Sequence, residues 1–350
     1  MSGSTGEVVP AAAEGALRPG GRLRARGRHP VVRFVAGRLA ATVATLLVVS
    51  VVVFAGTEVL PGDAAGAVLG RSATPEQLTA LRHQMGLDRP APERYADWLA
   101  GLLHGDLGSS AAGYAAGSTL PIWSQVSGKV ENSLVLAGLT TLLLVPLSLL
   151  LGVSAARAAG RPADQAISLV SLAVISLPEF VIGSLLILAL ASWLTWLPPV
   201  ALIPPGELAL RHPTELVLPV LTLLGATLAA SIRMVRAGMV ETLRADYVQM
   251  ARLNGFPERT VVWRYALRNA LPTSIQVFAQ NIQYLIGGIL VVEYLFNYPG
   301  VGKELVDAVA IRDVREVQSL AVAIAAVYVG LNLVADLLVF LLVPRLRTRA

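Results

Sequence analysis

The uncharged apolar runs constrain this chain more than any other feature. Residues 39–57 and 132–156 contain no Asp, Glu, Lys or Arg. Residues 216–232 and 269–292 contain none either, while 165–206 hold only Glu179 and 317–343 only Asp336. A helix rises ~1.5 Å per residue and a bilayer core is ~30 Å thick, so each run crosses, or nearly crosses, a membrane. Composition agrees: 55% of the residues are hydrophobic and 15% charged, against about 25% charged in a soluble domain. The expected fold is all-α and integral to the membrane, with six transmembrane helices. An even number places both termini on one side.

The basic residues choose that side. With the termini inside, the inner segments carry nineteen of the 28 Lys and Arg residues and the outer segments nine, which is the asymmetry of an N-in, C-in protein. The net charge of +5 therefore needs no nucleic acid to explain it. Residues 1–30, rich in Gly, Ala, Pro and Arg without periodicity, read as a disordered basic cytoplasmic tail. A basic flank before an apolar run also describes a signal peptide. Here the run is too long for an h-region and no clear A-x-A site follows, so 31–57 is expected to be an uncleaved first span.

Several chemistries are missing. The chain has no cysteine, hence no disulfide and no thiolate ligand. Lys129 precedes Val130 and Lys303 precedes Glu304, so no phosphate-binding G-x-x-x-x-G-K-[ST] loop exists. His29, His83, His104 and His212 are scattered, without an H-E-x-x-H pair, and no G-x-S-x-G elbow occurs. No catalytic residue, metal ligand or cofactor is expected in this chain. A membrane hydrolase would have nothing to work with.

Two polar segments are long enough to fold. In the external one, residues 58–130, Thr74-Pro75-Glu76-Gln77 reads as an N-cap, a proline at N1 and a capping-box Gln, with Gly86 as the stop. A second helix is expected from near Pro92 to Gly105, with Tyr95, Trp98, Leu99 and Leu102 on one face at i, i+3, i+4, i+7. That face either packs on the transmembrane bundle or docks an external partner. The other segment, residues 233–272, is cytoplasmic. Residues 243–254 read as a helix with Tyr247, Met250 and Ala251 on one face, stopped by Gly255 in a left-handed turn and by Pro257. A second helix is expected through Val261, Val262, Tyr265 and Ala266 to Leu271-Pro272, where the fifth span begins. Such a unit can sit in a groove of another protein or rest on anionic lipid.

Here the sequence resembles a known family. Gln249-Met250-Ala251-x3-Gly255 followed by Leu271-Pro272 is similar to the cytoplasmic EAA loop of binding-protein-dependent ABC importer permeases. The wider pattern resembles the dipeptide/oligopeptide/nickel permeases of the first-subunit type. It includes Pro61-Gly62-Asp63, Gly86-Leu87-Asp88-x-Pro90, Gly105-Asp106-Leu107-Gly108 and Ala266-Leu267-Arg268-Asn269-Ala270. It continues in Glu293-x2-Phe296-x2-Pro299-Gly300-x-Gly302, Arg312-Asp313 and Asn332-x3-Asp336, covering roughly residues 33–347 in order. Gln249 and Met250 depart from the EAA consensus, and the spacing from Gly255 to Leu271-Pro272 exceeds the general motif.

The resemblance implies a type I ABC importer fold: an external helical insertion at 58–130, then a five-helix core over 131–347 that includes the 243–272 coupling loop. It implies a permease subunit translocating peptides by alternating access, with nickel chelates or another small solute as the alternative cargo. The partners would be a second homologous permease, two cytoplasmic ATPase subunits holding ATP and Mg, and an extracytoplasmic solute-binding protein. Tyr247, Met250, Ala251, Gly255, Leu271 and Pro272 would form the ATPase-coupling loop, and Tyr95, Trp98 and Leu102 the external docking face. A secondary transporter or channel is the alternative class, but that class often shows internal repeats, and none is found here. Ionisable residues within spans are functional by default. Glu179, after Pro178 and a kink, either lines the translocation path or is a neutral or paired structural residue at a helix–helix contact, and Glu293 is expected to shape the external gate region. Asp336 is expected to pair with a nearby Arg.

Overall fold

The computed structural model describes residues 30–59, 64–69, 73–111, 113 and 120–342. The tail expected over 1–30 lies outside them except for Pro30, as do Pro61-Gly62-Asp63 and residues 343–350. Every regular element among the described residues is a helix. α1 (Pro30–Val59) is followed by α2 (Ala64–Leu69), α3 (Pro75–Gln84) and α4 (Ala91–Leu103), and then by α5 (Ile122–Arg157). α6 (Pro162–Ile175) and α7 (Glu179–Leu186), the latter continued by a π-helical turn at Ile187–Trp193, meet at a sharp bend. α8 (Pro213–Leu243) leads to a short α9 (Asp246–Leu253). Glu258–Thr260 and a π-helical turn, Val261–Ala266, run into α10 (Leu267–Leu295), and α11 (Val301–Ala310) and α12 (Val314–Leu342) complete the described chain.

Among the described residues, four stretches are long and apolar enough to cross a membrane: Val35–Val59, Ile122–Arg157, Pro213–Leu243 and Val314–Leu337. The pair Pro162–Ile175 and Glu179–Trp193, bent by 107°, is a fifth if it counts as one span. The expected kink at Pro178 is therefore a break. Proline cannot donate its missing N–H and clashes with the preceding turn, and here it serves as the N-cap of α7. α8 is also longer than the uncharged run 216–232. Helical hydrogen bonding continues through Arg233, Arg236 and Glu241, since it does not depend on side-chain charge.

α8 lies at the centre, packed on α5, α6, α7 and α10, with 61% of its most apolar window buried. α1 and α12 pack on each other with only 11% and 6% buried. Their bare residues, among them Val48, Val52, Val327 and Val334, are apolar, so something other than water covers these two helices. Arg38 on α1 and Asp336 on α12 form an ion pair at 3.0 Å, as expected.

The segment between α1 and α5 folds as its caps dictate. Thr74 Oγ1 accepts from the Gln77 N–H, and Gln77 Oε1 accepts from the Thr74 N–H, at 3.3 and 3.0 Å. The apolar face of α4 lies against the bundle. Trp98 is 1% exposed, its indole N–H donates to Ser319 Oγ on α12 at 3.3 Å, and its ring lies beside Phe54 of α1. Tyr95 meets Phe54 edge-on at 5.3 Å and hydrogen-bonds Ser50 at 2.9 Å. The docking role expected of Tyr95 and Trp98 needs correction on this point, because both rings are used to hold α4 to α1 and α12. Leu102 is half-buried, while its neighbour Leu103 is 80% exposed on the outward side.

Candidate functional site

The segment between α8 and α10 is built on one small apolar cluster. Val248 and Ala251 of α9, with Val261, Val262 and Ala266 of the π-helical turn, pack onto Val153 and Ala156 of α5 and Val235 and Met239 of α8. Val248, Val261 and Val262 are completely buried. The turn that joins the two halves is fixed by Gly255, whose φ of +78° lies in the left-handed region where a Cβ costs ~1 kcal/mol or more. The Phe256 N–H reaches back to the Ala251 carbonyl at 3.3 Å. Arg252 then clamps the turn with two bonds to Glu258, at 2.9 and 3.1 Å. The Arg252 guanidinium holds the Glu258 carboxyl below its ordinary value. The Phe256 and Tyr265 rings meet at a tilt of 45°, their centroids 5.5 Å apart.

The opposite face is bare. Met250 is 58% and Leu253 82% exposed, and Tyr247, Phe256 and Trp263 are exposed beside them. Tyr247, Met250 and Leu253 follow one another at i, i+3, i+6 on α9, a single stripe along one side. The expected grouping of Tyr247, Met250 and Ala251 is thus divided: Ala251 faces the bundle and the other two face away. A surface of this kind, anchored on a closed cluster and apolar where it meets no part of its own chain, is suited to a groove in another protein. Leu271 is half-buried against the same cluster. The helix expected to reach Leu271-Pro272 does so: α10 begins at Leu267 and runs through both residues.

At the other end of α10 the chain is closed. Glu293 is completely buried and accepts from the Gly302 and Lys303 N–H groups, at 2.7 and 3.2 Å, and from Ser133 Oγ. Its carboxylate therefore sits at the N-terminus of α11, where free N–H groups and the helix dipole favour a negative charge. Ser133 Oγ accepts in turn from the Val301 N–H at 2.9 Å. Asn132 donates to the Pro299 carbonyl at 3.2 Å and accepts from the Ala209 N–H at 2.9 Å, and the Tyr298 hydroxyl donates to the Asn132 carbonyl at 2.7 Å. A Cβ on Gly300 would stand 2.0 Å from Glu293 Oε1, and one on Gly302 2.7 Å from Leu290 Cα. The spacing Glu293-x2-Phe296-x2-Pro299-Gly300-x-Gly302 thus encodes a carboxylate folded back onto a helix start. Glu293 is fully enclosed in this latch.

Glu179 is different. It is half-buried at the first turn of α7 and accepts a 2.7 Å hydrogen bond from the Tyr284 hydroxyl of α10. Gly288, one turn on from Tyr284, has its Cβ position 3.4 Å from the same carboxylate oxygen. A third polar pairing escaped sequence reasoning: Arg236 Nη2 of α8 donates to Asp164 Oδ2 of α6 at 2.7 Å, and Gly160 donates to the same oxygen at 2.9 Å. Arg-Pro-Ala-Asp at 161–164 shows a helix start, but nothing in it reveals a partner on α8.

Residues 148–348 match the family described as binding-protein-dependent transport system inner membrane component, and residues 31–129 match the corresponding N-terminal family. The chain belongs to this permease family. The protein named "Probable peptide ABC transporter permease protein y4tP" from Sinorhizobium fredii is 32% identical over 314 residues, 90% of this chain and 99% of the relative. "Glutathione transport system permease protein GsiC" from Escherichia coli K12 is 32% identical over 317 residues, 91% of this chain and 99% of the relative. This permease is accordingly a multi-pass protein of the cytoplasmic membrane and a component of a transport system. The family works with ATPase and binding-protein partners, and the bare stripe on α9 is a surface that such a partner could cover.

Proposed function

We propose that this permease is one of two permease subunits of an ABC importer that carries small peptides inward by alternating access. The cargo is supported by relatives named for peptides and for glutathione, itself a small peptide. Six spans are proposed: α1, α5, the broken α6–α7 pair, α8, α10 and α12. Both termini are inside and residues 58–130 outside, as the basic asymmetry favours. α9 and its turn then lie at the cytoplasmic surface, and the Glu293 cap lies at the outer one. A second related permease and lipid cover α1, α12 and the exposed face of α7. An extracytoplasmic binding protein delivers cargo to the outer face. Glu179 and Tyr284 stand along the path, where a carboxylate attracts a peptide ammonium. ATP and Mg are held by two cytoplasmic ATPase subunits. This chain has no cofactor and does no covalent chemistry.

One observation carries the reading: α9 is locked to α5, α8 and α10 on one face and apolar and bare on the other. Motion imposed on the stripe passes directly into the bundle, because no flexible linker separates α9 from α8 or from the turn leading into α10. Gly255→Asp tests it. Open space surrounds the Gly255 Cβ position, so the cost to this chain is about 1 kcal/mol and insertion is expected to be normal. Co-purification of the ATPase subunits, or transport in vesicles, is expected to fail. Full recruitment with full transport would remove the coupling role.

A further inference from the structure

A cavity of about 460 Å³ opens between α1, α10 and α12, within the size range of small-ligand sites. Its polar lining is Thr42 and Thr45 from α1, Gln280 and Gln283 from α10, and Tyr328 and Asn332 from α12. Arg38 and Asp336, paired with each other, stand at one end. From Asp336 to Tyr328 the lining climbs ~12 Å along α12, well into the thickness of a bilayer. None of the six neutral side chains has a hydrogen-bond partner among the described residues. In lipid such groups are costly unless something satisfies them, and a hydrogen-bonding guest in the cavity would do so.

We infer that the cavity is a station for peptide cargo, in which the side-chain amides of Gln280, Gln283 and Asn332 bond the substrate's own amide groups. This rests on the peptide-permease reading above. Each side-chain amide offers two donors and an acceptor, the complement of a peptide unit, and the hydroxyls of Thr42, Thr45 and Tyr328 can do either. A neutral lining reads the part that all peptides share and is indifferent to side-chain charge. Gln280 also lies one turn from Tyr284 on α10, on the same helix face, so a peptide whose ammonium meets Glu179 has this lining next along the helix. A phospholipid phosphate fits less well, because the only cation in the lining is Arg38, already bound to Asp336.

The absence of cysteine makes a direct test available. Val329, which lines the cavity, is replaced by cysteine in the full transporter, assembled with cysteine-free partners in nanodiscs. Its modification rate by a small methanethiosulfonate is measured against alanyl-alanine, with uptake of the same dipeptide followed in vesicles. Dipeptide at twice its dissociation constant is expected to slow modification about threefold. Gln283→Leu is expected to raise the half-protecting concentration about tenfold; should that variant assemble poorly, the nearly isosteric Thr45→Val serves instead with a shift in the same direction. Protection by added phosphatidylglycerol but not by dipeptide would overturn the proposal in favour of a headgroup site. No modification at all would overturn it as a dry gap. Dipeptide uptake without protection would sink this site and leave the function intact, whereas no dipeptide uptake by the wild type would sink the peptide reading and the site with it.

Discussion

The two ends of α10 differ in what they leave unsatisfied. Around Glu293 the carboxylate, the Ser133 hydroxyl, Asn132 and the first N–H groups of α11 all find partners within the chain, and neither Gly300 nor Gly302 has room for a Cβ. Around α9 the reverse holds: the inward face is closed, but Tyr247, Met250 and Leu253 expose apolar surface that the chain never covers. A region complete in itself can hold or gate. A region with a finished back and an unfinished front is an interface. The closed end should therefore respond to mutation with lost stability, and the open end with lost partners.

The broadest way to break this comparison is to show that the two ends do not lie on opposite sides of the membrane. In intact cells a cysteine at Ala80 is expected to react with an impermeant reagent, and one at Glu258 only after permeabilisation, an all-or-none difference. The reverse pattern would overturn the orientation. The next effect is thermodynamic. Glu293→Ala strips a partner from Ser133, from the buried Gly302 N–H and from the part-buried Lys303 N–H, and a buried group left unsatisfied costs ~1–3 kcal/mol. A large drop in the melting temperature of the detergent-purified subunit is expected, with Glu293→Gln milder. Gly300→Ala should resemble Glu293→Ala because its Cβ occupies the carboxylate's place; a melting temperature equal to wild type would dissolve the latch. The smallest effect concerns the Arg252–Glu258 clamp. Because Glu258 ionises below its ordinary value of 4.5 in the folded chain, the pair's contribution is full above that pH and lost as pH falls through the lower folded value. For a pair this exposed it amounts to ~0.2–1 kcal/mol. Limited proteolysis at the Gly255 turn should accelerate below pH 4.5 in the wild type, while Glu258→Gln should be faster at neutral pH and nearly flat across the same range.

How far the sequence alone reached follows the range of the interactions. Local signals were legible: the Thr74–Gln77 capping box, the stop at Gly86, the left-handed turn at Gly255 and, among the described residues, four runs long enough to cross a membrane with a bent pair as a fifth, because each depends on residues a few positions apart. That Asp336 would pair with an Arg was also legible, since a lone carboxylate in an apolar run needs a cation, but that the partner is Arg38 of α1 was not. Long-range partners were not. Ser133 lies 160 residues from Glu293, and Ser319 lies 221 from Trp98, so an amphipathic stripe on α4 could not say whether its cover was the same chain or another. Helix ends near charges were misplaced for a physical reason. Charge density reports the solvent, and α8 continues beyond the lipid for three turns because its backbone bonds do not depend on it.

The central claim is that the bare stripe on α9 is a partner's seat. Leu253 and Leu103 are equally exposed in the single chain, at 82% and 80%, one on the α9 stripe and one on the outward side of α4. Single cysteines at these two positions should be modified at similar rates in the detergent-solubilised subunit. In the complex assembled with the ATPase subunits, and without the binding protein, the Leu253→Cys rate is predicted to fall about tenfold or more while Leu103→Cys is unchanged. Equal rates at Leu253→Cys with and without the ATPase subunits would contradict the account.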